Sequence, residues 1–432
     1  MKRIFFIFCF ELIYGASFSQ QLSLSDAVAI ALKNSLNIKI AKNTVEIAKV
    51  SNSYGYAGGL PLVNATATDQ EQLMNLKQEY SNPANNKQSS NAASNILSTG
   101  LNASVLVYNG QRVVTAKKRL GVIESQSKVV LSSKALVLVY NVMLKYFDIV
   151  RQQGYARTLE RSIEASKQKL EIVKTQQSVG LANNADLFQS QVDLNSQIQN
   201  LLAQQLVVDQ DKTDLLTLLT LRPDSVINVN DTIIVDKSIQ LDSILAAVGR
   251  NPDIEAANEQ IQINHYIEKE VGAQRYPALT LGAGYNYNQT KNAAGFSLLN
   301  QSYGPYTGLT LSVPIFNGNI FKKQQQIAEI NSKNATLLRD TLLLGYNSNT
   351  VKSYQAYTSN LQQLETAKTN FDLSQKLLAL VIQRFQLRQA TIVDVKNAQE
   401  SFENAGYILV NVSYAAKASE IQLKRIANEL DF

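Results

Sequence analysis

The residues best suited to metal ligation or nucleophilic chemistry are scarce in this chain. His265 is its only histidine and Cys9 its only cysteine. His265 sits in NHYIEKE, a polar run of helical pattern, and has no cysteine to join it in a metal or catalytic cluster. No glycine-rich loop of the phosphate-cradling kind occurs. No catalytic, cofactor-binding or metal site is expected, so the chain reads as a non-enzyme that needs no cofactor. The 41 basic and 35 acidic residues leave a formal charge of +6, and the basic residues are scattered rather than gathered on one stripe. That pattern argues against nucleic acid as a partner.

What remains is architecture. Lys2 and Arg3 precede an apolar run from Ile4 to Ile13, broken only by Glu11, and small residues follow at Ala16, Ser17 and Ser19. This is the layout of an export signal over residues 1–19, with the mature chain starting near Gln20. Removing Lys2, Arg3 and Glu11 takes the charge to about +5, and Cys9 leaves with them, so no disulfide is expected. Beyond the signal no stretch approaches eighteen uncharged apolar residues, so a spanning helix is not expected, and any membrane passage must use strands.

Strand-like alternation is present. Leu279, Leu281, Ala283, Tyr285 and Tyr287 alternate with Thr280, Gly282, Gly284, Asn286 and Asn288. Leu309, Leu311, Val313 and Ile315 alternate with Thr310, Ser312 and Pro314, and Leu101, Ala103, Val105 and Val107 do so with Asn102 and Ser104. One face is apolar and the other polar or tiny, and the strands are about ten residues long. The polar segments 69–98 and around 289–303 have loop composition.

These strands are written twice. TGLNASVLVYNG, Thr99 to Gly110, returns as TGLTLSVPIFNG, Thr307 to Gly318, an offset of 208 residues. The same offset pairs Leu170 with Leu378, Ala182 with Ala390, Asp186 with Asp394 and Gln191 with Gln399. Upstream, Leu24, Asn34 and Pro61 pair with Leu241, Asn251 and Pro277. A tandem duplication follows, repeat 1 over 20–235 and repeat 2 over 236–432. Expected strands are about 61–69 and 99–108 in the first copy, and 277–288 and 305–316 in the second.

Each copy also holds a long proline-free segment, about 111–176 and 319–384. In the first, Leu136, Tyr140, Met143, Phe147 and Val150 recur at helical spacing, with a second stripe through Ala116, Leu120, Ile123, Val130, Val137 and Leu144. Sixty-six helical residues extend roughly 100 Å. Two apolar stripes give each helix neighbours on two sides, as in a wall of helices. Segments 24–60 and 184–221 are each about half as long, so two of them stacked match one long helix. The order is half-helix, hairpin, long helix, tip turn (about 178–185 and 386–393), half-helix. Asn109-Gly110 and Asn317-Gly318 mark the strand-to-helix turns.

The doubled pattern, the sentence VPIFNG, the tip sequence VGLANNADLFQSQ and its counterpart ATIVDVKNAQ together resemble the TolC-like outer membrane efflux protein family, over essentially the whole mature chain. The resemblance implies a mainly α fold with a membrane β-barrel part. In it a homotrimer gives four strands per protomer to a twelve-stranded outer membrane barrel, continued by a twelve-helix periplasmic α-barrel. Four strands cannot close around a water-filled lumen, whereas twelve can. It implies a passive exit duct across the periplasm and the outer membrane of a Gram-negative bacterium. Its partners would be outer membrane lipid, a periplasmic adaptor and an inner-membrane pump, in an efflux or type I secretion system. A periplasmic adaptor or a structural coiled-coil protein is the alternative, though neither would carry two copies with barrel strands.

The resemblance also assigns the tips. Asp394 matches a periplasmic-gate aspartate, but the next gate position, three residues on, is Asn397. Asp186 matches a tip aspartate that bonds a tyrosine in better-known members, and the matching position here is Phe385. Ala390 stands where a gate arginine is expected. Both acids equally fit the first turn of a helix, where the dipole favours them. Val179, Gly180 and Leu181 match the adaptor-contact turn, in which glycine permits a tight reversal.

Overall fold

A computed structural model describes residues 20–430. The expected export signal over 1–19, and Cys9 with it, lies outside the described residues. The chain forms two compact units. One contains Lys42–Val130 and Glu255–Thr341, and the other the described residues of Met1–Ala41, Leu131–Ile254 and Leu342–Phe432.

In chain order, the two-residue strand β1 (Gln20–Gln21) leads to helices α1 (Leu24–Asn34) and α2 (Leu36–Ser51), then strands β2 (Leu62–Gln78) and β3 (Lys87–Tyr108). Helices α3 (Arg112–Ser178) and α4 (Asn184–Leu218) complete the first copy, and the short β4 (Ile227–Asn228) pairs in parallel with β1. The second copy follows as α5 (Leu241–Ala247), α6 (Pro252–Ala273), β5 (Ala278–Asn292), β6 (Leu299–Ser312), α7 (Ile320–Gln386) and α8 (Ile392–Ala427).

The duplication is visible in the backbone itself. Helices α3 and α7 are both 67 residues long, and their ends are 208 residues apart. The left-handed φ angles recur at the same offset: Gly110 with Gly318, Gln111 with Asn319, Gly180 with Arg388, and Thr220 with Asn428.

β2, β3, β5 and β6 form one four-stranded antiparallel sheet in that order, so β2 and β6 are its edges. Register assigns the faces. Ala65, Leu101, Tyr285 and Pro305 share one row, and Thr99, Tyr287 and Tyr303 share the row two residues on. The opposite face carries Asn64, Asn102 and Tyr306, then Thr66, Gly100 and Asn286. Tyr306 lies across β5 and donates its hydroxyl to Asn102 Oδ1 at 2.8 Å. Gly284 leaves the space for it, since a Cβ there would come within 2.8 Å of the Tyr306 ring.

Segments 69–98 and 289–303 are not the loops that their composition indicated. β2 and β3 stay paired from Gln78↔Lys87 down to Leu62↔Ser104, and β5 pairs with β6 up to Lys291↔Leu299. Pairing along these strands is carried by the backbone ladder, so mostly polar side chains there do not signal a loop. In the other direction β6 stops at Ser312, short of the expected 316, because Pro314 has no N–H to give the ladder.

In the other unit the core forms around α3. Val139, Val142, Tyr146 and Ile149 are at most 1% exposed and pack with Ala27, Val28 and Ala31 of α1 and Leu215 of α4. The buried stripe is thus centred beside the one read from sequence, in which Tyr140 and Met143 are only partly buried. Each fully buried aliphatic contributes about 1.5–3 kcal/mol. Contrary to the expectation from sequence, one eighteen-residue window of α3 is long and apolar enough to cross a membrane, and only 17% of it is buried.

Candidate functional site

Two regions hold the residues singled out from the sequence, one at the tip turns and one at the sheet. At the first tip, α3 ends with Gly180 at φ +75°; its N–H donates to Gln177 O and the Leu181 N–H to Gln176 O. This is a helix stop in which glycine takes the left-handed position without a Cβ penalty. Val179 and Leu181 beside it are 64% and 50% exposed. The second tip repeats the pattern with Arg388 at φ +61°, its N–H donating to Phe385 O and that of Gln389 to Arg384 O. An arginine holding the glycine position is a feature that letter-by-letter reading missed. The offset of 208 from Gly180 is the signal that finds it.

The tip acids cap their own helices. Asn183 Oδ1 accepts from the Asp186 N–H at 2.8 Å, and the Asp186 carboxylate accepts from the Asn183 N–H at 3.4 Å. Thr391 Oγ1 accepts from the Asp394 N–H at 3.2 Å, while the Asp394 carboxylate accepts from the Thr391 N–H at 2.7 Å and its hydroxyl at 2.8 Å. These are reciprocal capping boxes. The Thr391 backbone and hydroxyl donors, with the charge of Arg384 nearby, hold the Asp394 pKa below its ordinary value. Arg384 also donates to Gln389 O at 2.9 Å, so this tip has an arginine although Ala390 occupies the expected place.

Phe385 is 6% exposed and packs with Val173 of α3 and Val395 of α8, with Leu187 and Ile392 against the cluster. It therefore contributes apolar packing where a hydroxyl was expected. Asn397 is exposed, one helical turn beyond Asp394. Asp186 and Phe385 belong to neighbouring parts of the tip, but no hydrogen bond joins them.

Behind the tip lies a buried polar seam that sequence reasoning did not find. Gln399 of α8 donates to Ser162 Oγ at 2.6 Å, Ser166 Oγ at 2.8 Å and Ser162 O at 3.2 Å, and Ser162 also bonds Glu403. Lys169 is 0% exposed and donates to Asp193 of α4 at 2.6 Å. Burial pushes the Asp193 pKa up, but hydrogen bonds from Lys169 and Gln189 outweigh it and the net shift is downward. Polar residues on a helix read as solvated unless the neighbouring helix is known, so no sequence signal marked them.

At the sheet, Asn109-Gly110 and Asn317-Gly318 lie between β3 and α3 and between β6 and α7. Gly110 has φ +65°, and a Cβ there would lie 2.7 Å from Tyr276 Cβ and 2.9 Å from Ala273 O, so both conformation and space require glycine. Asn109 Oδ1 accepts from the Val113 N–H at 3.4 Å. Above the turns the strands carry no charge over 62–68, 96–108, 278–290 and 299–312. His265 is half-exposed, with Glu268 3.9 Å away.

The fold thus joins a four-stranded sheet, with one apolar and one polar charge-free face, to two 67-residue helices, and similar folds occur among outer membrane proteins. Residues 244–429 match the family "Outer membrane efflux protein". The chain is 22% identical over 309 residues to "Toxin and drug export protein A" of Aggregatibacter actinomycetemcomitans, covering 68% of this chain and 66% of that relative, slightly under two thirds of its length. Its fold is similar to the outer membrane protein VceC of Vibrio cholerae (TM-score 0.74, 18% identity, 94% of this chain and 95% of that one). It is also similar to the CmeC outer membrane channel of Campylobacter jejuni (TM-score 0.76, 17% identity, 94% and 85%). The family match covers residues 244–429, in the second part of the chain, and the solved structures share the fold of the whole.

Proposed function

We propose that three copies of this chain assemble into the exit duct of a tripartite efflux or type I secretion system. An inner-membrane pump supplies the energy, and a periplasmic adaptor docks on the exposed turn Val179-Gly180-Leu181. The observation that carries the trimer is the open sheet: β2 and β6 each present an unpaired edge along strands of 17 and 14 residues. An exposed flat edge invites pairing with another chain, and inside a bilayer unmet N–H and C=O groups cost several kcal/mol each. Joining β6 of one copy to β2 of the next removes every edge when the ring closes, and twelve strands enclose a water-filled lumen. The face with Asn64, Asn102, Asn286 and Tyr306 then lines the lumen, and the face with Leu101, Leu281, Tyr285 and Leu309 meets lipid.

Asp394, Asn397, Asp186 and Phe385 form the periplasmic entrance in this reading. With Phe385 buried and no tyrosine hydroxyl to bridge, closure relies on the Val173, Phe385 and Val395 packing and on the polar seam behind it. The test is direct. The chain is extracted from outer membranes, its heat-modifiable oligomer is sized, and its conductance is measured in planar bilayers. A soluble periplasmic monomer without conductance overturns the proposal.

A further inference from the structure

Helix starts normally favour acids, because the N-terminal amides carry partial positive charge. Four helices here follow the rule, with Asp26, Asp186, Asp242 and Asp394 in the first turns of α1, α4, α5 and α8. The two helices that begin at the foot of the sheet invert it. α3 and α7 have no acid in their first turns; α3 begins with Arg112, and Lys322 and Lys323 follow closely on the start of α7. Lys118 adds a further exposed cation in the second turn of α3. Among the described residues no carboxylate lies within ion-pair distance of any of these four, whereas Arg119 nearby is matched to Glu270 at 2.6 Å. Cations placed against a helix dipole with no counter-charge are destabilising within the protein, so an anion from outside is the missing term.

A second, independent feature surrounds them. Tyr56, Tyr276, Ile315 and Phe316 are 72%, 58%, 89% and 80% exposed where the charge-free strands end. Aromatic side chains at that level mark the boundary between hydrocarbon and headgroups. Beside Gly110 opens a groove of about 570 Å³ lined by Gln111, Thr115, Lys269, Arg275, Tyr276 and Gln325, with Glu268 also on its wall. The other end of the sheet has no such excess, because Asp69, Glu71 and Glu79 balance Lys77, Lys87 and Lys291.

We propose that the foot of the sheet is a binding surface for anionic phospholipid headgroups. Their phosphates sit against Arg112, Lys118, Lys322 and Lys323 and complement the N-terminal amides of α3 and α7, while the aromatic girdle enters the acyl region. This rests on the reading that the charge-free band lies in a bilayer. A basic cluster beside the membrane attracts anionic lipid cumulatively, residue by residue.

The test uses the purified full chain in detergent with equal amounts of phosphatidylglycerol and phosphatidylcholine, and counts retained lipids by native mass spectrometry. Wild type retains the anionic lipid preferentially. Arg112→Gln/Lys118→Gln/Lys322→Gln/Lys323→Gln lowers the preference by at least about tenfold, while Lys77→Gln/Lys87→Gln/Lys291→Gln at the opposite end leaves it unchanged. Lys322→Gln/Lys323→Gln, at two exposed positions, serves should the quadruple variant misfold. Equal retention of the two lipids by wild type, an undiminished preference in the foot variants, or displacement of the lipid by inorganic phosphate overturns the proposal. Failure of the chain to enter liposomes at all sinks the channel reading instead, so the two failures are distinct.

Discussion

Lys169 and Asp193 make an asymmetric pair, and the asymmetry sets a measurable order. The Lys169 side chain is 0% exposed, whereas that of Asp193 is 15% exposed and also accepts from Gln189 at 2.8 Å. Lys169→Met therefore leaves a carboxylate with one remaining donor and access to water, which costs about 1–2 kcal/mol. Asp193→Leu leaves an ammonium sealed between α3 and α4 with no partner, which costs about 3–5 kcal/mol. The double variant replaces the pair by apolar groups and should be no worse than Lys169→Met alone, giving a coupling energy of at least about 3 kcal/mol. Thermal unfolding followed by far-UV circular dichroism, with all four proteins in one detergent, measures the cycle. The pH dependence adds a check. The folded pKa of Asp193 is lowered, so the pair's contribution is fully present above the ordinary carboxylate range and is lost as pH falls through the folded value. Equal costs for the two single variants, or additive effects in the double, would refute this account of the seam.

Other expectations follow from the same geometry. Val105→Arg on the apolar face should impair assembly by about 2–4 kcal/mol near the midplane, whereas Ser104→Arg on the polar face should assemble normally; heat-modifiable oligomer on gels reads the difference. Arg388→Gly should stabilise the second tip by about 1 kcal/mol and Gly180→Ala should destabilise the first by a similar amount, measured as shifts in tip proteolysis. An epitope inserted between Ser81 and Asn86, where the chain leaves the ladder, should be tolerated and reached by antibody on whole cells. The same insertion at 90–96, inside β3, should abolish assembly. Asp394→Asn keeps an acceptor oxygen but removes the negative charge that strengthens the bonds from the Thr391 donors, so tip proteolysis should rise at neutral pH but match wild type once the pH is below the lowered Asp394 pKa, where wild type has lost the same charge.

The duplication and its turns were legible because they depend on backbone conformations that few residues tolerate. Asn-Gly at 109–110 and 317–318 announces a left-handed turn whatever surrounds it, and the letters were enough. The capping boxes were equally local, since Asn183 and Thr391 stand three residues before Asp186 and Asp394. Three features were not legible. The upper halves of β2 and β3 are mostly polar, so their pairing rests on a backbone ladder that side chains do not report. The exact buried stripe of α3 depends on which helix packs beside it, so Val139 and Val142 could not be ranked above Tyr140 and Met143. The seam of Ser162, Ser166, Lys169 and Gln399 is polar, and its burial follows wholly from the approach of α4 and α8.

The paired copies also separate what the scaffold requires from what each half does. Where backbone and side chain both recur, as at Gly110 and Gly318 or Asp186 and Asp394, the residue answers a demand of the turn or cap itself. Where the backbone recurs and the side chain does not, the turn's demand is overridden. Gly180 and Arg388 occupy the same left-handed position with the same hydrogen bonds, yet one is free of strain and the other carries it. Strain of this kind persists when the side chain supplies something that glycine cannot. In the second tip that something is charge: Arg388 stands four residues from Arg384, whose charge already acts on Asp394. Both tips carry an acidic cap, and the first sets beside it an uncharged, apolar-flanked turn at Val179 and Leu181, the second a basic one. The two tips thus present different chemistry from the same backbone.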